Sequence, residues 1–209
     1  DSFARQMRLG LLGPAGGDVK ALEQGARFLL EREQADRIIY LGIDGALDRL
    51  VLDWARTLVG DEDPSDDALF RRAVDRCLHA PPETIDAFIE AERERERLKT
   101  LECLPRASAR VIEMLHGRVA ILLYDKSKLD AEDLRAATLL VYGRSAEPVT
   151  RLDEGKIYVS PGPLSPRSGV ALLDSHRESG ELRIRIFDIL GEIVRAETLG
   201  QNSDPSRRG

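Results

Sequence analysis

Met7-Arg-Leu-Gly-Leu-Leu-Gly-Pro-Ala-Gly-Gly17 decides how the rest of the chain is read. Positions 8–12 form a short apolar run closed by Gly13-Pro14, the pattern of a buried strand that ends in a turn. Positions 19–33 follow with apolar residues at Leu22, Ala26, Leu29 and Leu30, which is helical spacing. A second apolar run over 37–41, Arg-Ile-Ile-Tyr-Leu, is closed by Gly42. Strand, helix and strand in about 35 residues predict a right-handed βαβ unit with a parallel strand pair.

Beyond this unit the pattern turns helical. Positions 46–59 carry Leu47, Leu50, Val51, Trp54 and Leu58 on one side. An acidic turn over 60–67 leads to a helix over 66–79, with Ser65 as its N-cap. Pro81-Pro82 opens a longer predicted helix over 83–104, whose apolar positions are Ile85, Phe88 and Ile89, then Leu98, Leu101 and Leu104. The charged run Glu90–Arg97 between them reads as a solvated face. A shorter helix is expected over 107–116. Strands return at 119–124 and 138–142, on either side of a brief helix at 131–137. From Val149 the period becomes two: 150–152 and 156–159 flank a hairpin turn, 170–174 and 182–187 flank Ser179-Gly180, and 192–197 makes a last strand. Positions 201–209 read as a frayed polar tail.

A chain of 209 residues with 42% hydrophobic and 33% charged residues can bury a substantial core as one large α/β domain. The net charge of −6 argues against a nucleic-acid binder, which usually presents a basic face. No apolar run approaches the roughly 18 residues of a membrane span. Cys77 and Cys103 offer no disulfide framework and read as reduced, cytoplasmic cysteines in helical patterns.

Three segments resemble the metal-binding loops of the calcineurin-like metallophosphoesterases: 7–17, then Ile38-Ile-Tyr-Leu-Gly-Ile-Asp-Gly45, then Leu140-Val-Tyr-Gly-Arg-Ser-Ala-Glu-Pro148 with Ser160-Pro-Gly-Pro163 beyond it. The likeness covers roughly 7–53 and 118–199, and is nearest to the small bacterial phosphodiesterases and the phosphoesterase-like retromer subunit. It implies a two-sheet α/β sandwich, with 54–117 as a helical insertion. It also implies two metal ions about 3.5–4 Å apart that polarise a phosphate and generate a hydroxide. Such ions want oxygen and nitrogen donors at strand ends. Where the family has Asp-x-His, this chain has Pro14 and Gly16. Where it has Gly-Asp, Gly42 is followed by Ile43. Where it has Gly-His-x-His, the chain reads Gly143-Arg144-Ser145-Ala146. A further ligand histidine is expected near Tyr124-Asp125, where there is none.

The expected function is therefore a catalytically inactive metallophosphoesterase-fold protein with no bound cofactor. It would act as a protein-interaction or scaffolding module, through a protein partner or self-association, with Ile85, Phe88, Ile89, Leu98 and Leu101 as the surface. One alternative is a metal-dependent phosphoesterase with a site rearranged onto Asp44 and Asp125. Another is an anion sensor holding its ligand between Arg144 and the backbone amides of Gly16 and Gly17; the bland alternative pairs Arg144 with Glu147 or a nearby carboxylate. The acidic group Asp61, Glu62, Asp63, Asp66 and Asp67 lacks calcium-loop spacing and reads as a capping loop. His79, His116 and His176 stand apart, near element ends.

Overall fold

The computed structural model describes residues 7–60, 62–115, 117–176 and 179–200, without the side chains of Asp75, Cys77 and His79. The expectations for those last two side chains, for Asp61, for His116 and for the tail at 201–209 lie outside the described residues.

Strand β1 (Met7–Leu12) is followed by helix α1 (Val19–Arg27), which runs into a π-helical turn at Phe28–Arg32, and then by β2 (Arg37–Tyr40). The two strands pair in parallel, Leu9 opposite Arg37 and Leu12 opposite Tyr40, as the βαβ reading requires. Their side chains alternate between two cores. Leu9, Leu11, Ile39 and Leu41 face the second sheet, whereas Leu12, Ile38 and Tyr40 face the helices. Each fully buried leucine contributes roughly 1.5–3 kcal/mol relative to exposure.

Helices α2 (Ala46–Val59), α3 (Asp66–His79) and α4 (Pro82–Arg97) come next. Ser65 holds the N-cap position of α3 but caps nothing with its side chain. The predicted helix over 83–104 ends early. A 3-10 turn, Leu98–Thr100, takes the chain into β3 (Leu101–Cys103), which pairs in parallel with β2. The open edge of β2 overrides the three-residue spacing of Leu98, Leu101 and Leu104, all of which are buried. Cys103 is therefore on a strand. The helix expected over 107–116 is instead strand β4 (Val111–Leu115), because Val111 and Leu115 are drawn into the core between the sheets.

The rest follows the sequence reading: β5 (Arg118–Leu123), α5 (Ala131–Ala136), β6 (Leu139–Tyr142), β7 (Val149–Asp153), β8 (Lys156–Ser160), β9 (Val170–Ser175), β10 (Leu182–Phe187) and β11 (Ile193–Leu199). One sheet has the order β11-β10-β9-β1-β2-β3, the other β4-β5-β6-β8-β7. Helices α1 and α2 cover the first sheet, α5 covers the second, and an aliphatic core lies between the sheets. This is the two-sheet α/β sandwich implied by the sequence.

Helix α4 does not project into solvent. It packs against α2 and α3, and its charged run is not wholly solvated. Glu92 and Arg95, three residues apart and so on one face, are buried with Arg72 of α3, at 9%, 5% and 3% exposure. Glu92 bridges the two arginines, with 2.7 Å from Arg72 Nε to Oε1 and 2.6 Å from Arg95 Nε to Oε2.

Candidate functional site

The parallel strands β1, β2, β5, β6 and β8 all end toward the loops that carry the three family-like segments. Open α/β sheets place their ligands at such carboxyl ends.

The loop after β1 is held by its backbone. Gly13 donates to Gly169 O at 2.7 Å, and Pro14 O accepts from Leu164 at 3.0 Å. A Cβ at Gly13 would stand 1.8 Å from Gly162 O, so only glycine lets the Ser160-Pro-Gly-Pro163 turn close onto β1. Gly16 is exposed at φ 59°, and Asp18 caps α1 through Ala21 N–H. From β2 the first loop receives the Tyr40 hydroxyl. It accepts from Ala15 N–H at 3.0 Å and donates to Asp44 Oδ1 at 3.0 Å. A Cβ at Gly42 would lie 2.3 Å from Tyr40 Cζ, so this glycine makes room for the ring. Burial first, and then the Asp44 carboxylate, push the Tyr40 hydroxyl far above its ordinary pKa, with the Ala15 N–H opposing; it stays protonated.

Asp44 is not a free ligand. Besides Tyr40, its Oδ1 accepts from Ala46 N–H at 3.1 Å and so closes the turn into α2. Ile43, expected at the family's aspartate position, is 45% exposed and offers no donor. After β5, Tyr124 is half-buried and Asp125 accepts from Ser127 N–H at 2.9 Å. After β6, Arg144 donates to Asp125 Oδ2 at 2.5 Å while its side chain stays 67% exposed. The partner of Arg144 is therefore Asp125 and not Glu147. The Ser127 N–H first, and then the Arg144 guanidinium, hold the Asp125 pKa down to about 2. Ala146 is exposed.

These residues do not fit a two-metal centre. Pro14, Gly16, Ile43 and Ala146 carry no side-chain donor. The carboxylates of Asp44 and Asp125 are engaged in turns, and Arg144 places a fixed positive charge at the rim. Among the described residues no group of three or more His, Cys, Asp or Glu side chains could hold a metal ion.

Sequence reading missed one residue here. Tyr40 passed as an ordinary core aromatic; the signal was a single polar-tipped side chain closing an aliphatic strand at the ligand-bearing end. Cys103, brought beside β2 by β3, has a thiol pushed up to about 12 by burial and by the Asp48 carboxylate, so it is not a thiolate nucleophile at neutral pH. Leu98 and Leu101, expected on an interaction surface, are each only 7% exposed and pack into the helix-side core. Ile85 and Phe88 are half-buried, and Ile89 is 40% exposed.

Solved structures match most of the chain. A predicted phosphoesterase from Streptococcus pneumoniae TIGR4 is 12% identical, with 94% of this chain and 99% of that one covered and a TM-score of 0.52. Vacuolar Protein Sorting 29 from Cryptosporidium parvum is 13% identical, covers 94% and 99%, and has a TM-score of 0.51. The fold is that of the calcineurin-like metallophosphoesterases. At such identities what is shared is the metallophosphoesterase fold itself. No family model matches the sequence, and no curated protein matches it. At these strand ends Tyr40, Asp44 and Asp125 make loop-closing contacts.

Proposed function

We propose that this protein is a non-catalytic metallophosphoesterase-fold module that acts by binding another protein or a second copy of itself. The observation that carries this reading is the donor set at the strand ends: four ligand positions without donors and two carboxylates engaged in turns. The reading as a phosphoesterase rearranged onto Asp44 and Asp125 needs both carboxylates free. The anion-sensor reading needs Arg144 released from Asp125.

The α3–α4 hairpin supports the binding role. Phe70 is 79% exposed and Leu78, eight residues on and on the same face, 67%. Ile89 of α4 adds a further exposed apolar side chain. One of the two similar structures bears the name of a sorting protein, which fits a use of this fold outside hydrolysis. Among the described residues no helix is long and apolar enough to cross a membrane.

The test has two arms. Metal analysis after gel filtration, with hydrolysis of a generic phosphodiester, is expected to give no stoichiometric Mn, Fe, Ni or Zn and no turnover. About two equivalents of metal, with chelator-sensitive hydrolysis, would overturn the reading. Sedimentation equilibrium of the wild type and of a Phe70→Glu, Leu78→Glu variant addresses self-association. A concentration-dependent mass that the double change abolishes supports a second copy as the occupant. A mass left unchanged by the substitution excludes this face as the self-association surface.

A further inference from the structure

Strand β11 ends the first sheet, so among the described residues no strand lies along its outer edge. An open edge is a row of unpaired N–H and C=O groups and a template for another strand. Proteins guard such edges with short length, proline, lysine or a bulge. At the other edges of the sandwich β3 has three residues, and β4 and β7 have five each. β11 has seven, Ile193–Leu199, with no proline and no lysine. Its register against β10 shifts at its start, between Ile186 and Phe187, and is regular from Arg195 to Leu199.

The strand is open along its length. Ile193, Val194, Arg195, Ala196 and Thr198 are exposed, and Glu197 and Leu199 are half-buried. Ile193 and Val194 put large apolar side chains into solvent, at 58% and 48% exposure. Arg195 and Glu197 stand opposite Ile186 and Ile184 of β10, on one face of the sheet. Among the described residues neither has an ion-pair partner. On β7, by contrast, Arg151 and Asp153 have the same two-residue spacing and satisfy each other at 2.9 Å.

This order of charges selects a second copy as the occupant. Two copies of a strand joined antiparallel about a two-fold axis perpendicular to the sheet keep their faces, so one residue of each lies opposite itself. With Ala196 at the axis, Arg195 faces Glu197 of the second copy, and Glu197 faces its Arg195. Opposite charges directly across a ladder attract, whereas like charges there repel. Moving the axis by one residue sets Arg195 or Glu197 against itself. With Ala196 at the axis the strand ends also meet, Ile193 and Val194 of one copy beside Thr198 and Leu199 of the other. The β4 edge lacks this complementarity: Glu113, at its centre, would face itself and is already held by Arg37.

We propose that the protein forms a two-fold dimer through β11, which joins the first sheets of two copies into one continuous sheet. The dimer gives the binding role a second copy as its partner, on a surface other than the α3–α4 hairpin. β9 and β10 separate β11 from β1, and the inference does not depend on whether the strand-end cleft is catalytic. A contact one strand wide falls at the low end of specific interfaces, below about 1,200 Å², so the dimer is reversible.

Sedimentation equilibrium of the full chain is expected to show a monomer–dimer equilibrium. Arg195→Glu sets carboxylate against carboxylate, and Glu197→Arg sets guanidinium against guanidinium. Each should raise the dimer dissociation constant at least tenfold, with circular dichroism unchanged because neither side chain is buried. Mixed in equal amounts the two variants should associate again, because the carboxylates of one then face the guanidinium groups of the other. Both variants keep a net negative charge, so general attraction does not account for such recovery. The Phe70→Glu, Leu78→Glu variant should dimerise as the wild type does. Amide exchange of the wild type should slow with protein concentration on β11 and not on the hairpin. A wild type that stays monomeric overturns the proposal and leaves the edge to an extended segment of another protein. Single variants that dimerise normally, a mixture that does not recover association, or dimerisation lost in the hairpin variant would also overturn it.

Discussion

The strand-end cleft and the α3–α4 hairpin treat polar groups in opposite ways. At the cleft, where the fold family gathers carboxylates and imidazoles, this chain keeps its carboxylates within short loops: Asp44 closes the turn into α2 and Asp125 the turn at Ser127. Neither group is deeply desolvated. In the hairpin, three ionised side chains are almost fully buried and lean on one another across two helices. A metal site needs ligands presented without local partners, and the cleft does not do this. A buried ion network needs partners from distant positions to fit together, and the hairpin has one. Local capping holds a loop in place at little energetic risk. A shared buried glutamate makes the packing of two helices depend on one residue.

The largest expected effect comes from breaking that dependence. Glu92→Ala leaves Arg72 and Arg95 buried without their common partner and should cost about 3–5 kcal/mol in urea unfolding. Replacing Arg72, Glu92 and Arg95 together by apolar residues of similar volume should recover most of the loss, because no charge is then left unpaired. If Glu92→Ala changes stability by no more than a surface substitution, within about 0.5 kcal/mol, the cluster is solvated in solution and the contrast with the cleft disappears.

A smaller loss is expected from Tyr40→Phe. The ring still packs, but the buried Ala15 N–H loses its acceptor and Asp44 loses a donor, for a cost of about 1–3 kcal/mol. Amide exchange should place the loosening at Ala15 and the residues around it, with the α3–α4 hairpin unaffected. A global change in protection, or none, would mean that the hydroxyl does not join the two loops.

How far these regions could be read in the sequence follows from how local their determinants are. The apolar runs over 8–12 and 37–41, each closed by a glycine turn, are local signals, so β1 and β2 were legible, and the glycine-bearing segments pointed to the fold. β3 was not, because three residues are too few to show a period of two and Leu98, Leu101 and Leu104 fall at helical spacing. β4 hid for another reason: its outward residues Ile112 and Met114 are apolar and exposed, which blurs the alternation. That Pro14, Gly16 and Ile43 offer no ligand side chain could be read directly, since an absent side chain needs no structure. The pairing of Arg144 with Asp125 and the bridging role of Tyr40 could not, because each depends on loops brought together by the sheets. Nothing distinguishes Glu92 and Arg95 from their neighbours in the run Glu90–Arg97. Only the placement of Arg72 on α3 selects them.

The smallest effect concerns how locally the cleft is held. Asp125 titrates at about 2 in the folded protein, against an ordinary value of 3.8, with the Ser127 N–H ahead of the Arg144 guanidinium among the causes. Because the folded-state value is depressed, the stabilisation is complete above the unfolded value and is lost as pH falls from about 3.8 through 2. The stability difference between wild type and Asp125→Asn should therefore be flat near neutral pH and shrink across that acidic window. NMR titration of the Asp125 carboxyl in Arg144→Gln sharpens the point. If the turn is the larger cause, the value rises without the guanidinium but stays below 3.8, whereas a return to 3.8 would mean that the ion pair alone depresses it. In that event the cleft would rest on a long-range charge pair, as the hairpin does, and the distinction between local and distant satisfaction would fail at this position.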